Sequence, residues 1–159
     1  MSLRVRRAVP SDGPRILELD RQLARFERLT PPDDEEGRRL LRLVFDEKRL
    51  EALVAETDGG VEGMALFYEG VSTFRAKPFL YLEDLVVSES SRSRGVGKAL
   101  VAALAREAVS RGALRIEWAV LDWNARAIEF YERLGAERPT EWIKYALDGA
   151  RLEEVARSE

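Results

Sequence analysis

The sequence predicts an α/β protein whose central sheet is mixed but mostly antiparallel and carries helices on both faces. Asp58-Gly59-Gly60 separates two apolar segments and is typical of a β-hairpin turn, which joins antiparallel strands. Later in the chain, strand-like and helix-like segments alternate, as in parallel βαβ units. A strand and two helices precede the hairpin, so the order differs from doubly wound folds, which alternate from their first strand.

The beginning of the chain predicts one strand followed by two helices. Aliphatic residues alternate with arginines over residues 3–9, as in a half-buried strand. Ser11 or Asp12 is suited to cap a first helix, in which apolar residues recur every three or four positions up to Phe26. Two prolines then end this helix, and the acidic run that begins at Asp33 favours the start of a second one.

The middle of the chain predicts three strands. Residues 50–56 and 61–68 form the two arms of the hairpin, with Gly63 as a candidate β-bulge. Residues 70–78 are expected to form a loop, because glycine and proline flank them. Residues 79–87 are the most apolar strand and are expected at the centre of the sheet.

Helices and strands alternate in the last third of the chain. Glycines near the predicted helix ends are typical of helix C-termini. The predicted elements are a helix over 95–111, a strand over 114–120, a helix over 124–134, a strand over 141–147, and a weak helix or frayed end in the tail.

Length and composition favour one globular domain covering residues 1–159. A net charge of −3 gives no support to nucleic-acid binding, and no apolar run approaches the roughly 18–20 residues of a membrane span. No secretory signal precedes the first strand, so a cytoplasmic enzyme is expected. Cysteine and histidine are both absent, which removes thiol nucleophiles, Ser-His-Asp triads and most zinc sites. No metal is therefore expected, and proton transfer falls to carboxylates, tyrosines, lysines or water.

The most informative segment is the turn between the strand over 79–87 and the next helix, which we call the glycine turn. Glycines let the backbone approach a ligand closely, and the first N–H groups of a helix have no intrahelical partner. With the positive end of the helix dipole they form an anion site suited to phosphate, although a tight turn without a ligand has the same pattern. Amides from Arg94 to Ala99 are expected to face the phosphate. The glycine turn consists of Arg92, Ser93, Arg94, Gly95, Val96, Gly97, Lys98 and Ala99.

Two carboxylates, Glu83 and Asp84, lie on the strand that leads into the glycine turn. Neighbouring side chains of a strand point to opposite faces, so both can line one pocket only if a β-bulge intervenes. A phosphate site beside a possible base suggests transfer chemistry on a phosphate-bearing cofactor. For Asp84, a salt bridge or a helix-cap contact is the alternative.

Two longer patterns resemble the GCN5-related N-acetyltransferase (GNAT) superfamily. Arg92-x-x-Gly95-x-Gly97 after an apolar strand is similar to the motif with which these enzymes bind the pyrophosphate of acetyl-CoA. Asn124-x-x-Ala127-x-x-Phe130-Tyr131-x-x-x-Gly135-Ala136 resembles their second signature. The resemblance covers about residues 3–147 and is closer to the diamine (spermidine/spermine) acetyltransferase branch. That branch is indicated by Tyr81-Leu82-Glu83-Asp84, Leu23-Ala24-Arg25-Phe26-Glu27, Trp123-Asn124 and Glu141-Trp142.

The resemblance implies acetyl-CoA as the cofactor and direct attack of a neutral amine on the thioester. Glu83 would take a proton from the acceptor through a water, and backbone N–H groups around Leu85 would polarise the carbonyl. Tyr131 would protonate the departing thiolate, because a phenol with a pKa of about 10 keeps its proton at pH 7; core packing is the alternative for this residue. Asn124 would bond the pantetheine arm and can cap a helix at the same time. Outside the glycine turn, the expected cofactor-binding residues are Leu85, Val86, Val87, Asn124, Ala127 and Tyr131.

The same branch implies a small cationic amine as the acceptor: a polyamine, a diamine or a lysine-like molecule. Phe26 and Glu27 match an aromatic and acidic pair of the acceptor site, although Phe26 also fits the core and Glu27 a solvated helix face. Residues 71–74 carry no acidic residue where the polyamine enzymes have one, which leaves polyamine specificity open. The expected acceptor-binding residues are Phe26, Glu27, Glu83, Asp84, Glu117, Trp118 and Glu141.

Two other functions fit the same residues. One is acetylation of a protein amine, at an N-terminus or a lysine, and the other is CoA binding without catalysis, against which Glu83 and Tyr131 argue. The resembled branch commonly forms two-fold dimers, and Trp142 with the last strand is the expected contact. Trp118 and Trp142 fit core packing equally well. The expected partners are a small cationic amine and a second copy of the chain, with no nucleic acid and no membrane.

Overall fold

The computed structural model describes residues 2–158, which fall into two units, residues 1–121 and 122–159. The first unit contains a five-stranded sheet and three helices, and the second contains two helices. In the described part of the chain, no helix is long and apolar enough to cross a membrane. The strands are β1 (Arg4–Arg7), β2 (Glu51–Thr57), β3 (Gly60–Ser72), β4 (Lys77–Val87) and β5 (Ile116–Glu117), and the helices are α1 (Gly13–Phe26), α2 (Asp34–Phe45), α3 (Val96–Ser110), α4 (Ala125–Arg133) and α5 (Gly149–Arg157).

The sheet has the strand order β1-β2-β3-β4-β5. The first four strands pair antiparallel, and β5 runs parallel to β4. The turn predicted at Asp58-Gly59-Gly60 joins β2 to β3, where Thr57 pairs with Gly60. The predicted mixed, mostly antiparallel sheet is confirmed.

Helices cover both faces of this sheet, as predicted. On one face α3 packs on the strands, and Leu100 and Phe67 are fully buried in that core. On the other face α1 and α2 pack on the strands, and Ile16 and Met64 are fully buried. Successive apolar residues of β2 point to opposite faces, so one strand contributes to both cores.

The two helices before β2 begin close to their predicted positions. The Glu36 N–H donates to Asp33 Oδ1 at 2.8 Å, and the Asp33 N–H donates to Glu36 Oε2 at 2.9 Å, which is a capping box at the start of α2. Asp12 is the N-cap residue of α1, but its carboxylate accepts hydrogen bonds from the Val9 N–H and from Arg6 instead of capping the helix.

A first β-bulge lies near the start of β3, where Glu62 is the extra residue between two neighbouring pairs with β2. The prediction of a bulge at Gly63 is therefore wrong by one residue. Gly63 has another role, because a Cβ at this position would lie 2.8 Å from Val96 Cγ1 and 3.0 Å from the Val86 carbonyl oxygen. The glycine permits the close approach of α3 to the sheet.

A second β-bulge lies in β4, where Leu82 pairs with Phe67 and Asp84 pairs with Leu66. Glu83 is therefore an extra residue without a partner in β3. Leu82 belongs to the core under α3, whereas Val86 belongs to the core under α1 and α2. Even-numbered side chains of β4 therefore point to the α3 face before the bulge and to the face of α1 and α2 after it.

The predicted loop over 70–78 is much shorter in the structure. β3 continues to Ser72 and β4 begins at Lys77, which leaves four residues between them. The rings of Tyr68 and Tyr81 stack with centroids 5.2 Å apart, and the pairing continues past them to Ser72. Cross-strand packing therefore extends both strands through a glycine and a proline that mark loops in a sequence.

The last two predicted strands are short or absent. Within the segment 114–120 only the two residues of β5 form a strand, although the Leu114 N–H also donates to the Pro78 carbonyl and the Arg115 carbonyl accepts from the Leu80 N–H. Residues 141–147 lie outside regular secondary structure. A strand requires a neighbour for its N–H and C=O groups, and within residues 2–158 no strand pairs with 141–147. The prediction of a strand there is wrong, whereas the helix predicted in the tail is present as α5.

Candidate functional site

The glycine turn has the strand, turn and helix geometry that an anion site requires. It leads from β4 to α3, whose N-cap residue Gly95 has a φ of +83°, a conformation that suits glycine. No side-chain hydrogen bond caps α3, so its first-turn N–H groups are available to a ligand. The Ala99 N–H is an exception to the prediction, because it donates to the Gly95 carbonyl at 2.9 Å.

Arg92 connects the glycine turn to an expected acceptor residue. Its guanidinium carbon lies 5.6 Å from the centroid of the Phe26 ring, and Nη2 lies 3.8 Å from Glu89 Oε1. Phe26 is 42 % exposed, so the alternative that it belongs to the core is wrong. The structure thus places Phe26 beside the turn that is expected to bind the cofactor.

β4 has an unpaired edge in front of the glycine turn. β5 pairs with β4 only at Leu80 and Tyr81. Beyond Tyr81, no strand in the described part of the chain pairs with this edge. The Val87 carbonyl is nevertheless occupied, because it accepts a hydrogen bond from Gln22 Nε2 at 3.2 Å. The expected cofactor-binding residues Leu85, Val86 and Val87 lie on this stretch.

The bulge at Glu83 meets the condition that the two carboxylates of β4 require. Because Glu83 is the extra residue, Tyr81 and Asp84 point to the face that α1 covers. Glu83 is exposed. Burial is the largest cause that raises the pKa of Asp84, Tyr81 and Tyr68, and the negative charge of Glu83 acts in the same direction on all three. Both carboxylates therefore act on the same side of the sheet.

Asp84 belongs to an acidic cluster formed by Asp20, Glu27, Glu83 and Asp84. Burial, followed by the negative charges of Asp20, Glu83 and Glu27, raises the pKa of Asp84 to about 7. Burial also raises the pKa of Asp20 and of Glu27. None of these four residues forms a salt bridge with any residue that the structure describes. The charge of Arg21 lowers the pKa of Asp20, but no ion pair within the described residues compensates the cluster.

Sequence reasoning missed Asp20 and the tyrosine pair of the β3–β4 hairpin. Asp20 follows the buried Leu19 and lies four positions after the buried Ile16, so it occupies the apolar stripe of α1. A lone carboxylate in such a stripe was the available signal, because buried polar residues are the informative ones. Tyr68 and Tyr81 stack on the face that carries Asp84, and the hairpin was hidden by the predicted loop.

The two remaining acceptor candidates of the first unit, Glu117 and Trp118, have different surroundings in the structure. Glu117 pairs with Tyr81 across β4 and β5, raises the pKa of that tyrosine, and accepts a hydrogen bond from Arg115 Nε at 2.5 Å. Trp118 is half-buried and packs against the core under α3, which is the alternative that its sequence position left open.

The second unit contains the other signature residues. Asn124 caps α4, with Oδ1 accepting a hydrogen bond from the Ala127 N–H at 3.2 Å, so its capping role is confirmed. Tyr131 is half-buried on α4, and its ring centroid lies 5.3 Å from that of Phe130. Glu141 and Trp142 are exposed.

Comparisons with known proteins identify the family and the fold. The profile of the Acetyltransferase (GNAT) family matches residues 14–136. The chain is 33 % identical to mouse thialysine N-epsilon-acetyltransferase over 98 % of both proteins. It is 42 % identical to L-ornithine N5-acetyltransferase NATA1 of Arabidopsis thaliana over 60 % of the chain, which spans 42 % of that protein. Among solved structures, an integron cassette protein from the mobile metagenome of V. cholerae has the same fold, with a TM-score of 0.86, 23 % identity and 99 % of each chain covered.

The chain belongs to the acetyltransferase (GNAT) family. It is an N-acetyltransferase that takes its acetyl group from acetyl-CoA and transfers it to an amine. The open edge of β4 and the glycine turn are the features of the first unit that suit this cofactor.

Proposed function

We propose that this enzyme acetylates a primary amine of a small acceptor that carries a second positive charge, such as a diamine, a polyamine or a lysine-like molecule. The observation that carries the proposal is the acidic cluster, which has four carboxylates and no salt bridge among the described residues. Clustered carboxylates repel one another unless cations compensate them. Ammonium groups of the acceptor supply the missing charge. The relatives named for L-ornithine and thialysine support this acceptor class, because both molecules carry two amino groups.

The proposed chemistry begins with the proton of the acceptor, because an ammonium has no lone pair. Glu83 takes this proton through a water, and the exposed position of Glu83 at the bulge supports the assignment. Asp84, with a pKa raised to about 7, is a second group that changes protonation near neutral pH. Bound acetyl-CoA supplies a thioester carbonyl, to which the amine nitrogen forms a bond as the carbon–sulfur bond breaks. Tyr131 donates its phenolic proton to the departing sulfur, and the resulting phenolate regains, through water, the proton that the attacking nitrogen loses as it becomes an amide.

The cofactor and acceptor assignments of individual residues are part of the same proposal. The glycine turn holds the pyrophosphate, and backbone N–H groups near Leu85 polarise the carbonyl. Asn124 contacts the pantetheine arm while it caps α4. The family profile crosses the boundary between residues 121 and 122, which supports one acetyltransferase domain made of both units.

Turnover with a matched pair of amines tests the acceptor class. The diamine 1,4-diaminobutane and the monoamine 1-aminobutane have the same carbon chain, so the second charge is their main difference. We expect the enzyme to prefer the diamine. Turnover of thialysine, ornithine and peptides with a free N-terminus or a lysine would then place the acceptor within the class. A preference for the monoamine, or for peptides over every small amine, would overturn the proposal.

A substitution within the cluster separates charge from general damage. Glu27→Gln is expected to lower kcat/KM for the diamine about 5- to 150-fold. This corresponds to about 1–3 kcal/mol, the usual cost of losing one charged hydrogen bond. The kcat/KM for the monoamine should change little. Glu47→Gln is the matched control, because Glu47 is exposed after α2. An equal loss for both amines would remove Glu27 from the acceptor site.

We also propose a two-fold dimer in which residues 141–147 contact a second copy. The support is the exposure of this apolar segment: Trp142, Ile143 and Tyr145 are 83 %, 78 % and 88 % exposed. Contiguous exposed apolar surface of this kind marks interaction sites. The alternating pattern of the segment also suits pairing with a strand that the described chain does not provide.

A further inference from the structure

The bulge in β3 directs one carboxylate, Glu62, toward the segment that enters the glycine turn. Glu62 is the extra residue of that bulge, and its side chain is only 15 % exposed. Residues 88–91 follow β4 and form a short 3₁₀ turn that ends immediately before Arg92. We call this segment the serine turn, since it contains Ser88, Ser90 and Ser91.

Glu62 holds the serine turn through backbone and side chain together. The Ser88 N–H donates to the Glu62 carbonyl at 2.8 Å, and the Ser88 hydroxyl donates to Glu62 Oε2. The same Oε2 accepts from Ser90 Oγ at 3.4 Å. Arg15 of α1 lies 3.6 Å from Oε2. One carboxylate thus contacts two serine hydroxyls and a guanidinium.

These contacts keep Glu62 ionised at neutral pH. The hydrogen bond from Ser88 is the largest cause that holds the pKa of Glu62 below its ordinary value. Burial acts against it, whereas the nearby Ser90 hydroxyl and the charge of Arg15 lower the pKa further. Arg15 is itself fixed, because its Nε donates to the Val61 carbonyl at 2.8 Å. The sheet, through Glu62, and α1, through Arg15, therefore both fix the position of the serine turn.

The glycine turn depends on this attachment for its shape. Two of its residues have left-handed backbone conformations, Ser93 with a φ of +64° and Gly95 with a φ of +83°. For a non-glycine residue such a conformation costs about 1–3 kcal/mol and persists only where the surroundings enforce it. The glycine turn is continuous with the serine turn at its N-terminal end, and α3 begins within the glycine turn at its C-terminal end. The positions of these two elements therefore constrain the backbone of the glycine turn.

We infer that Glu62 is a positioning residue for acetyl-CoA, because it fixes the serine turn and so preorganises the N–H groups of the glycine turn for the pyrophosphate. Preorganisation of a binding loop contributes affinity by removing the cost of ordering it upon binding. The inference rests on the proposed role of the glycine turn. Glu62 belongs neither to the glycine turn nor to the acidic cluster.

Glu62→Ala tests the inference through the split between cofactor and acceptor parameters. We expect the calorimetric Kd for CoA and the KM for acetyl-CoA to rise about 10-fold, with the KM for the amine and kcat within about twofold of wild type. Glu62→Gln keeps an acceptor oxygen for the serine hydroxyls and should recover most of the affinity. If Glu62→Ala does not fold, Ser90→Ala removes only one exposed hydroxyl and should raise the same Kd about two- to fivefold. A wild-type Kd in the folded variant, or an equal rise in the KM of the amine, would overturn the inference.

Two further variants separate this inference from the assignments on which it depends. Glu51→Ala removes a carboxylate that accepts hydrogen bonds from Arg7 and Arg111, so it controls for the general loss of a charged network. It should leave the Kd for CoA unchanged. Gly97→Asp places a side chain and a negative charge in the glycine turn and should abolish binding of CoA. Unchanged affinity in Gly97→Asp would refute the role of the glycine turn itself. Abolished binding there together with wild-type affinity in Glu62→Ala would refute only the inference on Glu62.

Discussion

Replacing Asp84 by asparagine should make the free energy of unfolding of this protein less sensitive to pH in the range up to about pH 7. The folded protein holds the carboxyl of Asp84 with a pKa of about 7, against an ordinary value of 3.8. Between these two values the folded protein keeps a proton that the unfolded chain has lost. Deprotonation therefore favours the unfolded chain, and the free energy of unfolding falls as the pH rises through this window. Above pH 7 the full destabilisation is present, and below pH 3.8 it is absent.

The size of the effect follows from the two pKa values. Their difference corresponds to about 4 kcal/mol, at about 1.4 kcal/mol for each pH unit. Most of this difference is lost between pH 5 and pH 8, where linkage lowers the free energy of unfolding of the wild type by about 2–3 kcal/mol. The asparagine side chain cannot ionise, so this part of the pH dependence disappears in the variant. Its buried amide adds a cost that does not depend on pH, so the slope is the informative quantity.

Urea unfolding at a series of pH values between 5 and 8 measures this slope. We expect the free energy of unfolding of the wild type to fall more steeply with pH than that of Asp84→Asn. Asp46→Asn is the control, because Asp46 is exposed at the end of α2 and its substitution should leave the slope unchanged. Parallel curves for the wild type and Asp84→Asn would refute the reasoning, since they would mean that Asp84 titrates alike in both states.

Three further predictions concern catalysis, packing and assembly. Tyr131→Phe should lower kcat by about 10–1000-fold with little change in the Kd for CoA, and an unchanged kcat under saturation would return Tyr131 to a packing role. Gly63→Ala should destabilise the fold by about 1–3 kcal/mol in thermal or urea unfolding, because its Cβ would overlap Val96, whereas Gly59→Ala meets nothing closer than 3.5 Å and should be tolerated. Light scattering should give twice the chain mass of 18.1 kDa, Trp142→Lys should shift this toward one chain, and a wild-type monomer at micromolar concentration would reject the dimer.

The architecture was predictable because its signals are local. The hairpin turn, the acidic start of α2 and the spacing of apolar residues in α1 each specify an element within a few positions. The bulge at Glu83 was not predictable, because it depends on how β4 aligns with β3 across the sheet. From the sequence alone, a bulge is only a condition that Glu83 and Asp84 must meet in order to share one pocket.

The wrong prediction of a strand over residues 141–147 and the failure to identify Asp20 have the same cause. Residues 141–147 have the alternation of a strand, but alternation does not provide the neighbour that a strand needs. Asp20 looks like any helical carboxylate until the face of α1 on which it lies is known to pack on the sheet. Such features arise from the meeting of distant segments, which a single sequence does not encode in any one place.

The uncompensated charge of the acidic cluster also offers a way to find the natural acceptor without measuring turnover. A cation that binds among ionised carboxylates stabilises the folded protein in proportion to its affinity. That affinity should rise with pH as Asp84 loses its proton. A thermal-shift screen of amines at pH 8, repeated at pH 5, should therefore single out true acceptors as those whose melting-temperature gain is larger at the higher pH. Ligands that bind elsewhere, including CoA at the glycine turn, are not expected to show this dependence on the ionisation of Asp84.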